Sequence, residues 1–384
     1  MTRLRIDSAE LYALKIPFVM PPMSHSAHKD RGACDSVVLL LSSAGVFGHG
    51  EAVFRDYVSR SSAREKDLAA HAADIVRRMI DPLLGRDVEW RDAAPEGRDV
   101  DPSDLPVLCA LETALLDLAC RHSGRDAYEL LGREPVHQSV AISGVIPMYA
   151  PDVAVRTLVQ FAQLGVRAFK IKLGPDPAAN RTVLAACRAA AGEQADLRVD
   201  ANGAWKPGDV EAHLDTCASA GVTAVEQPFP VEAAGADGAL HRGVERGFLF
   251  IADEGFLSEQ DLDRISRAGT YRLLNFRLAK NGGLTRVLRL ARTAADRGIG
   301  HQLGCMVGET AILSALGRIA ASLLPAPRWV EGSYDRILYA QHLADRDLGF
   351  GPDGTASVIR GAGIGCTISE QQLARFAVSR VKLF

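Results

Sequence analysis

The sequence lacks the features that mark membrane, secreted and nucleic-acid-binding proteins. It contains no run of about 18 apolar residues, the length that a membrane-spanning helix requires. Its formal net charge is only −3, which gives no reason to expect a nucleic acid or an anionic membrane as a partner. No apolar segment of the secretory kind follows the first positive charges. We therefore expect a cytoplasmic protein with neither nucleic acid nor a membrane as its partner.

The cysteines do not form a disulfide or zinc pattern. There are seven of them, an odd number, scattered mostly through apolar runs such as LPVLCALETALL, and no CxxC pair occurs. This distribution is typical of reduced thiols in a protein core. Phosphate-binding and nucleophile motifs are missing as well. The stretch GAGIGC (361–366) lacks the third glycine of a dinucleotide fingerprint, and no GxSxG or Walker-type loop is present.

The first third of the chain has the pattern of a small α+β domain. Two apolar segments rich in β-branched residues, LRIDSAELYALKI and SVVLLLSSAGVFGHGEA, are joined by a turn-rich loop. They predict an antiparallel sheet. Helical patterns follow in AREKDLAAHAADIVRRMIDPLLG and LPVLCALETALLDLACRHSG. The strand-like end of the chain, SRVKLF, is expected to pack back on this domain.

From about residue 138, short apolar strands alternate with amphipathic helical segments, which predicts an α/β fold with a parallel sheet. The residues near the strand ends recur at intervals of 24 to 28 positions: Val145, Lys172, Asp200, Glu226, Asp253, Arg277, Gly304 and Glu331. Eight units at a near-constant period favour a (β/α)8-type barrel over an open sheet. In such a barrel the C-terminal strand ends converge on one mouth, where the active site forms.

Three consecutive strand ends in this register carry carboxylates: Asp200, Glu226 and Asp253. At one barrel mouth, unpaired carboxylates would repel one another and raise each other's pKa. A divalent cation would relieve that repulsion, and oxygen ligands without nearby His or Cys favour Mg²⁺ over zinc. The alternative is three unrelated acids on the surface or in separate salt bridges, and the common register argues against it.

Two lysines lie two residues apart in the apolar run AFKIKLG, so a strand would place Lys170 and Lys172 on the same face. Lys172 ends the strand before Asp200 and should flank the metal site. A lysine near a second cation in a dry pocket has a lowered pKa and can act as a base, and Lys170 would be that cation. The alternative is a pair of lysines that extend from a strand end into water.

The ordered set of motifs resembles the enolase superfamily and, within it, the muconate-lactonizing-enzyme (muconate cycloisomerase) subgroup, which is mandelate racemase/muconate lactonizing enzyme-like. The motifs that carry the resemblance are KIK (170–172), VDANGAW (199–205), VEQPF (225–229), ADE (252–254) and FRLAKNGG (276–283). The helical segment ALETALLDLACRHSGRDAYELLG (110–132) is similar to that family's junction between cap and barrel. The resemblance extends along nearly the whole chain.

This resemblance implies a fold, a cofactor and a set of roles. The fold is an α+β capping domain (1–132, completed by the tail 341–384) with a modified TIM barrel, (β/α)7β (133–340). The cofactor is one Mg²⁺, for which Mn²⁺ could substitute, bound by Asp200, Glu226 and Asp253. Lys172 is the acid/base beside its electrostatic partner Lys170, and the supporting residues are Asn202, Glu254 and Glu309. The partners are a small-molecule carboxylate and further copies of the chain, from dimer to octamer.

One position departs from the family's pattern. The strand after the third metal ligand usually ends in a lysine, and here the register places Arg277 there. Arginine cannot serve as a base at ordinary pH, so a two-base racemase mechanism is disfavoured. A one-base cycloisomerase or dehydratase is favoured, in which Lys172 moves the proton α to a carboxylate through an enediolate and Arg277 acts electrostatically. The alternatives are a racemase or epimerase of amino-acid derivatives or dipeptides with Lys280 as second base, and an inactive metal-binding barrel.

Substrate contacts are expected from the two cap loops, near 19–32 and 52–60, and from the eighth strand. The candidates, each of which could also be a solvated or structural residue, are His25, Arg55, Tyr57 and Glu331. The eighth strand end, VEGSYDR, differs from the paired aspartates with which dipeptide epimerases hold a substrate ammonium. This difference is a second argument against dipeptide epimerisation. The sequence does not identify the substrate.

Overall fold

The computed structural model describes residues 3–21, 23–25, 28–55, 68–93 and 100–384, with the backbone alone at 23–25, 28–31 and 92–93. No helix within these ranges is both long and apolar enough to pass through a bilayer. The described chain forms an antiparallel sheet with helices packed on it, then a curled parallel sheet surrounded by helices, and a tail that returns to the first sheet.

The N-terminal part is built on antiparallel strands. They are β1 (Arg3–Leu4), β2 (Ser8–Leu14), β3 (Ile16–Pro17), β4 (Met23–His25), β5 (His28–Arg31), β6 (Ala33–Cys34), β7 (Val37–Ser43), β8 (Val46–Ala52) and β9 (Val88–Glu89). In the main sheet β7 pairs with both β2 and β8. Its sequence VVLLLSS is buried at every residue, as expected for a continuous apolar run in the centre of a sheet.

One long helix joins this sheet to the rest of the molecule. The helices of this part are α1 (Leu68–Ile80), α2 (Trp90–Ala93), α3 (Leu105–Ser123) and α4 (Ala127–Leu131), with 3₁₀ turns at Asp81–Leu83 and Pro102–Asp104. Helix α3 ends at Gly124, whose left-handed conformation (φ 66°) is the usual helix terminator. Two glycines of β8 let α3 lie directly on the strand. A Cβ at Gly50 would come within 1.8 Å of the Ala110 carbonyl oxygen.

The parallel sheet follows β10 (Ser139–Ala141). Its strands, each paired with the next in chain order, are β11 (Ser143–Ile146), β12 (Ala168–Lys172), β13 (Asp196–Asp200), β14 (Ala224–Glu226), β15 (Leu249–Ala252), β16 (Tyr271–Phe276) and β17 (Gly300–Leu303). The connecting helices are α5 (Pro151–Gln163), α6 (Pro177–Ala191), α7 (Val210–Ser219, after a 3₁₀ turn at Pro207–Asp209), α8 (Ala236–Glu245), α9 (Glu259–Ala268), α10 (Leu284–Asp296) and α11 (Ala311–Leu323).

The eighth unit differs from the eight full strands that the spacing predicts. The ring closes through Val330 alone, which bridges Leu303 of β17 on one side and Ile142, beside β11, on the other. The chain turns away at Gly332 (φ 117°) and Ser333 (φ 55°), so no longer strand can form. The predicted α/β barrel class is confirmed: seven strand–helix units, from β11 with α5 to β17 with α11, are followed by the bridge at Val330, where the (β/α)7β form that the family resemblance implies has its last strand.

The tail returns to the N-terminal part through α12 (Asp335–Leu338), β18 (Thr355–Ser357), α13 (Glu370–Phe376) and β19 (Ala377–Lys382). Strand β18 pairs with β10, and β19 adds an edge strand beside β2. The glycine-rich stretch 361–366 packs on α3. Asp117 accepts a hydrogen bond from the Ile364 amide at 3.0 Å, and a Cβ at Gly363 would lie 1.9 Å from the Asp117 carboxylate. These glycines therefore serve packing.

Candidate active site

Lysine and carboxylate side chains meet where adjacent strands end at one mouth of the barrel. Lys172 of β12 is in register with Asp200 of β13, which is in register with Glu226 of β14. Asp253 comes directly after the last residue of β15. All three carboxylates are fully buried. Because the strands are parallel and in register, the structure brings together the residues that the sequence spacing places at one level.

Lys172 lies at the rim of this cluster. Its Nζ is 3.3 Å from Asp200 Oδ2 and donates to Asn202 Oδ1 at 2.8 Å. The residue retains 9% of its surface exposed, more than any other cation of the cluster. Lys172 therefore combines a fixed position with access to the mouth, which an acid/base group requires.

Lys170 lies one layer deeper on the same face of β12. Its Nζ contacts Glu226 Oε1 at 3.1 Å and Glu331 Oε1 at 2.8 Å, and it lies 3.8 Å from Asp200 Oδ2. Burial alone would lower the pKa of Lys170, but the carboxylates of Glu226 and Glu331 outweigh burial and raise it above its ordinary value. Lys170 is therefore a permanent cation beneath the site, as the electrostatic partner of Lys172 should be.

Arg277 and Lys280 both bind Asp253 on the other side of the cluster. The guanidinium of Arg277 donates to Asp253 Oδ2, and its Nη2 lies 3.6 Å from Glu226 Oε1. Lys280 donates to Asp253 Oδ1 at 2.9 Å, to the Asp253 carbonyl at 2.9 Å and to the Asn275 carbonyl at 2.6 Å. Burial alone would raise the pKa of Asp253, but the charges of Arg277 and Lys280 outweigh burial. The pKa therefore lies below its ordinary value, and the carboxyl stays ionised.

Three acceptors surround Lys280, one for each proton of its ammonium, so the ammonium is fully engaged with protein acceptors. It is also almost completely buried. A lysine with this environment orients Asp253 and the end of β16. It is a supporting group in this arrangement, and a role as base would require it to break these contacts.

Asn202 and Glu254 connect two of the strand ends. The Asn202 amide NH₂ donates to Asp200 Oδ2 at 3.0 Å and to Glu254 Oε1 at 3.1 Å. Asn202 adopts φ 44°, a conformation that asparagine tolerates better than most residues. The second oxygen of Glu254 is buried and has no hydrogen-bond partner among the residues that the structure describes. Burial, with the nearby charges of Asp253 and Asp200, raises the pKa of Glu254 to about 8.

The donor set fits a hard divalent cation. In the described ranges, no three acidic, His or Cys side chains already stand in ligand geometry, and Lys170, Arg277 and Lys280 form ion pairs with the carboxylates. The cluster nevertheless offers three buried carboxylates on adjacent strand ends and the orphaned oxygen of Glu254. Oxygen donors alone are what Mg²⁺ prefers. The residues that could hold the ion are Asp200, Glu226 and Asp253.

A sequence profile of the family described as enolase C-terminal domain-like matches residues 154–372. The chain belongs to this family. It is therefore an enzyme of the enolase superfamily, and the matched region contains every strand end of the cluster described above.

The relatives named here align with this enolase-superfamily chain over almost their full length. L-Ala-D/L-Glu epimerase of Escherichia coli (strain K12) is 27% identical over 84% of this chain and 92% of its own length. Muconate cycloisomerase 1 of Pseudomonas putida is 24% identical over 98% of this chain and 100% of its own length. The structure of a dipeptide epimerase from Enterococcus faecalis V583, complexed with Mg and L-Leu-L-Tyr, has a TM-score of 0.80 at 20% identity and covers 94% of this chain and 99% of that one.

The outcome differs among the residues that were predicted to contact substrate. Arg55 is buried, and its guanidinium binds Asp35 at 2.9 Å and the carbonyls of Phe54 and Val307. It links the N-terminal part to a barrel loop, so its predicted contact with substrate gains no support. Tyr57 lies outside the described residues, and so does the side chain of His25.

Two predicted glutamates are engaged inside the protein. Glu331 binds both Lys170 and Arg198, and Arg198 Nη2 lies 2.5 Å from Glu331 Oε1. The Glu331 carboxylate is therefore directed into the barrel. Glu309 accepts the Met306 amide at 2.6 Å and closes the loop after β17. Burial raises the pKa of Glu309 to about 8. Lys170 joins Glu331 to Glu226, one of the three predicted metal ligands.

Sequence reasoning missed the layer of polar residues beneath the mouth. Asn275 donates to Glu226 Oε1 at 2.9 Å, Gln302 donates to Glu226 Oε2 at 2.7 Å, and Arg198 holds Glu331. Each lies two residues before a strand-end residue that the spacing did identify. The same two-residue period that joins Lys170 to Lys172 would have located them.

Proposed function

We propose that this enzyme is a Mg²⁺-dependent isomerase or lyase that moves the proton α to a carboxylate with Lys172 as its single acid/base. The proposed reactions are cycloisomerisation and dehydration of a small-molecule carboxylate. The observation that supports this proposal is the asymmetry of the two flanks. Lys172 keeps access to the mouth, whereas the opposite flank offers a guanidinium and a lysine whose donors are all engaged.

The chain's own residues divide the work in this proposal. Lys172 Nζ takes the proton from substrate, or delivers it, while Asn202 and Asp200 hold the ammonium in place. Lys170 stays charged beneath it, paired with Glu226 and Glu331. Arg277 stabilises negative charge on the far side of the substrate, because a guanidinium donates and does not accept protons at working pH.

A divalent cation held by Asp200, Glu226 and Asp253 would supply the charge that stabilises an enediolate at the substrate carboxylate. Mn²⁺ is expected to substitute for Mg²⁺, since both take oxygen ligands in similar numbers. The dipeptide epimerase from Enterococcus faecalis that shares this fold was solved with Mg, which supports the choice of ion. A homo-oligomer between dimer and octamer, in the cytoplasm, completes the proposal.

A second candidate is a racemase or epimerase of amino-acid derivatives or dipeptides, with Lys280 as second base. The names of several relatives favour it, including the epimerase of Escherichia coli and the N-succinyl-L-Arg/Lys racemase of Bacillus cereus. The environment of Lys280 disfavours it, because the ammonium would have to leave three acceptors to reach substrate. An inactive metal-binding barrel is a third possibility, which the intact pair of lysines and three carboxylates oppose.

The deciding experiment incubates the purified protein with Mg²⁺ and a panel of carboxylates in D₂O. The panel holds muconates, hydroxy acids, hydroxyprolines, N-acyl amino acids and dipeptides, and Lys172→Ala is the control. A product that has lost water, or a lactone isomer that contains deuterium, supports one-base chemistry. A gain of one deuteron with inversion supports the epimerase instead, and metal-dependent thermal stabilisation without any turnover supports the inactive barrel.

A further inference from the structure

Two consecutive barrel helices begin without an adequate cap of their own. The first amides of a helix have no acceptor within the helix and need one from elsewhere. Helix α10 follows Gly283, which has no side chain, and its first turn contains no acidic residue. Helix α11 follows Thr310, whose hydroxyl reaches the Ile312 amide only at 3.5 Å. Both helices start directly after loops that carry site residues, Arg277 with Lys280 in one loop and Glu309 in the other.

Helix α3 of the N-terminal part supplies the missing acceptor for α10. Glu112 is buried, and its Oε1 accepts the Thr285 amide at 2.9 Å. Gly283 (φ 105°) lies against the other oxygen, because a Cβ there would come within 1.9 Å of Glu112 Oε2. The glycine pair that ends the loop after Arg277 therefore lets the start of α10 sit on this carboxylate.

Strand β8 supplies the acceptor for α11. Glu51 is fully buried, and its carboxylate accepts the Thr310 amide at 3.0 Å, the Thr310 hydroxyl at 2.7 Å and the Leu313 amide at 3.3 Å. Arg55, a few residues further along the chain, donates to the Val307 carbonyl of the same barrel loop. The loop that ends in Glu309 is thus held from the N-terminal part at two points.

The two glutamates belong to one packed unit, because α3 lies directly on β8 at Gly48 and Gly50. We infer that Glu112 and Glu51, both from the N-terminal part, are the N-caps of α10 and α11 respectively. Glu112 is thereby a positioning residue for the loop of Arg277 and Lys280. The N-terminal part then fixes the geometry of the barrel mouth through helix ends. The link from Glu112 to the metal ligand Asp253 runs through Lys280 and rests on the proposed function.

The caps are tested by amide hydrogen exchange on the full-length protein, with each glutamate as the control for the other. Glu112→Ala should speed exchange in the first turn of α10 about tenfold and leave α11 unchanged, and Glu51→Ala should do the reverse. Glu112→Gln and Glu51→Gln, which keep an oxygen acceptor, should restore most of the protection. Exchange in β7 serves as the internal check that each variant is folded. Equal acceleration in both helices, or in neither, overturns the inference.

The positioning role is tested by Mn²⁺ affinity, which needs no substrate. Glu112→Ala should weaken Mn²⁺ binding about tenfold, as removal of outer contacts to metal ligands does, while Glu51→Ala should leave it within about twofold. Unchanged affinity in Glu112→Ala, or equal weakening in both variants, contradicts the role of Glu112. If the wild type binds no Mn²⁺, the metal in the proposed function fails, and the exchange experiment alone decides whether the two glutamates are caps.

Discussion

The two flanks of the carboxylate cluster differ in how tightly the protein holds its cations. Lys172 has two acceptors and keeps some exposure at the mouth. On the other flank, Lys280 has three acceptors and Arg277 binds Asp253 in a buried pair. A group that transfers protons must change its charge, and a fully engaged ammonium cannot do so without losing its contacts. Under the proposed function the two flanks would have different tasks, proton transfer on one and fixed charge on the other.

The largest expected effect comes from removal of Lys172, the lysine on the flank that keeps some exposure at the mouth. Lys172→Ala should lower kcat by about 10³-fold, within the range that a general acid/base contributes. Lys172→Arg is the matched control, since it keeps the positive charge but cannot act as a base at working pH. Both should be equally inactive in a turnover assay. Activity in the arginine variant would show that charge alone suffices and would remove the distinction between the flanks.

Arg277→Lys should make the two flanks more alike. The new ammonium is expected to lower the rate of the one-base reaction about 10²-fold, the cost of losing one well-placed electrostatic donor. It should also introduce exchange of the α proton with inversion, which the proposed one-base mechanism does not give in the wild type. Product stereochemistry in D₂O measures both. Inversion at equal rates in wild type and variant would mean that a second base already exists, most plainly Lys280.

Stability should separate the flanks in the opposite order from activity. Lys280→Met should lower the free energy of unfolding by about 3 kcal/mol, because it removes the buried ammonium from its ion pair with Asp253 and from its hydrogen bonds to the Asp253 and Asn275 carbonyls. Lys172→Met should cost about 1 kcal/mol, the central value for single substitutions. Urea unfolding of both variants gives the comparison. Similar losses would imply that the engaged flank is not the more firmly held one.

A smaller effect concerns Glu51, the carboxylate that caps α11. Burial raises the pKa of Glu51 to about 7, from 4.5 for an unperturbed group. The pKa of Glu51 is higher in the folded state than in the unfolded state. The stability that this shift contributes is therefore complete below pH 4.5 and is lost as pH rises through about 7. The loss should be about 1 to 3 kcal/mol. Unfolding free energies between pH 4.5 and 8 should fall less steeply in Glu51→Gln, and parallel curves for the two proteins would contradict the assignment.

Much of this arrangement was predictable because it depends on periodicity. The near-constant spacing of strand ends placed Lys172, Asp200, Glu226 and Asp253 at one level, and parallel register requires that they meet. The resemblance of the motifs then predicted the superfamily, which the profile match confirms. The roles of the individual site residues stay predictions until they are measured.

What the sequence did not reveal are the contacts between distant segments. Arg55 was expected at the substrate, but its partner Val307 lies about 250 positions away, and no local pattern announces such a pair. Glu331 was expected to face substrate, but Arg198 and Lys170 hold it inside the barrel. Glu112 lies in an apolar helix pattern, and the sequence analysis did not single it out. The reason for its charge is the start of α10, whose Thr285 amide it accepts. Long-range polar partners are set by topology, which spacing alone does not fix.

The closure of the barrel at a single residue has a consequence for how the molecule opens. The six boundaries between neighbouring strands of the sheet are paired ladders, whereas the closure at Val330 consists of isolated bridges with backbone hydrogen bonds such as those from the amides of Ser143, Leu303 and Glu331. Partial unfolding should therefore begin along this line, with β11 and β17 parting while the rest of the ring stays intact. Glu331 lies on the line and grips Lys170. Thermal fluctuations of the ring would thus reach the proton-transfer side of the site first.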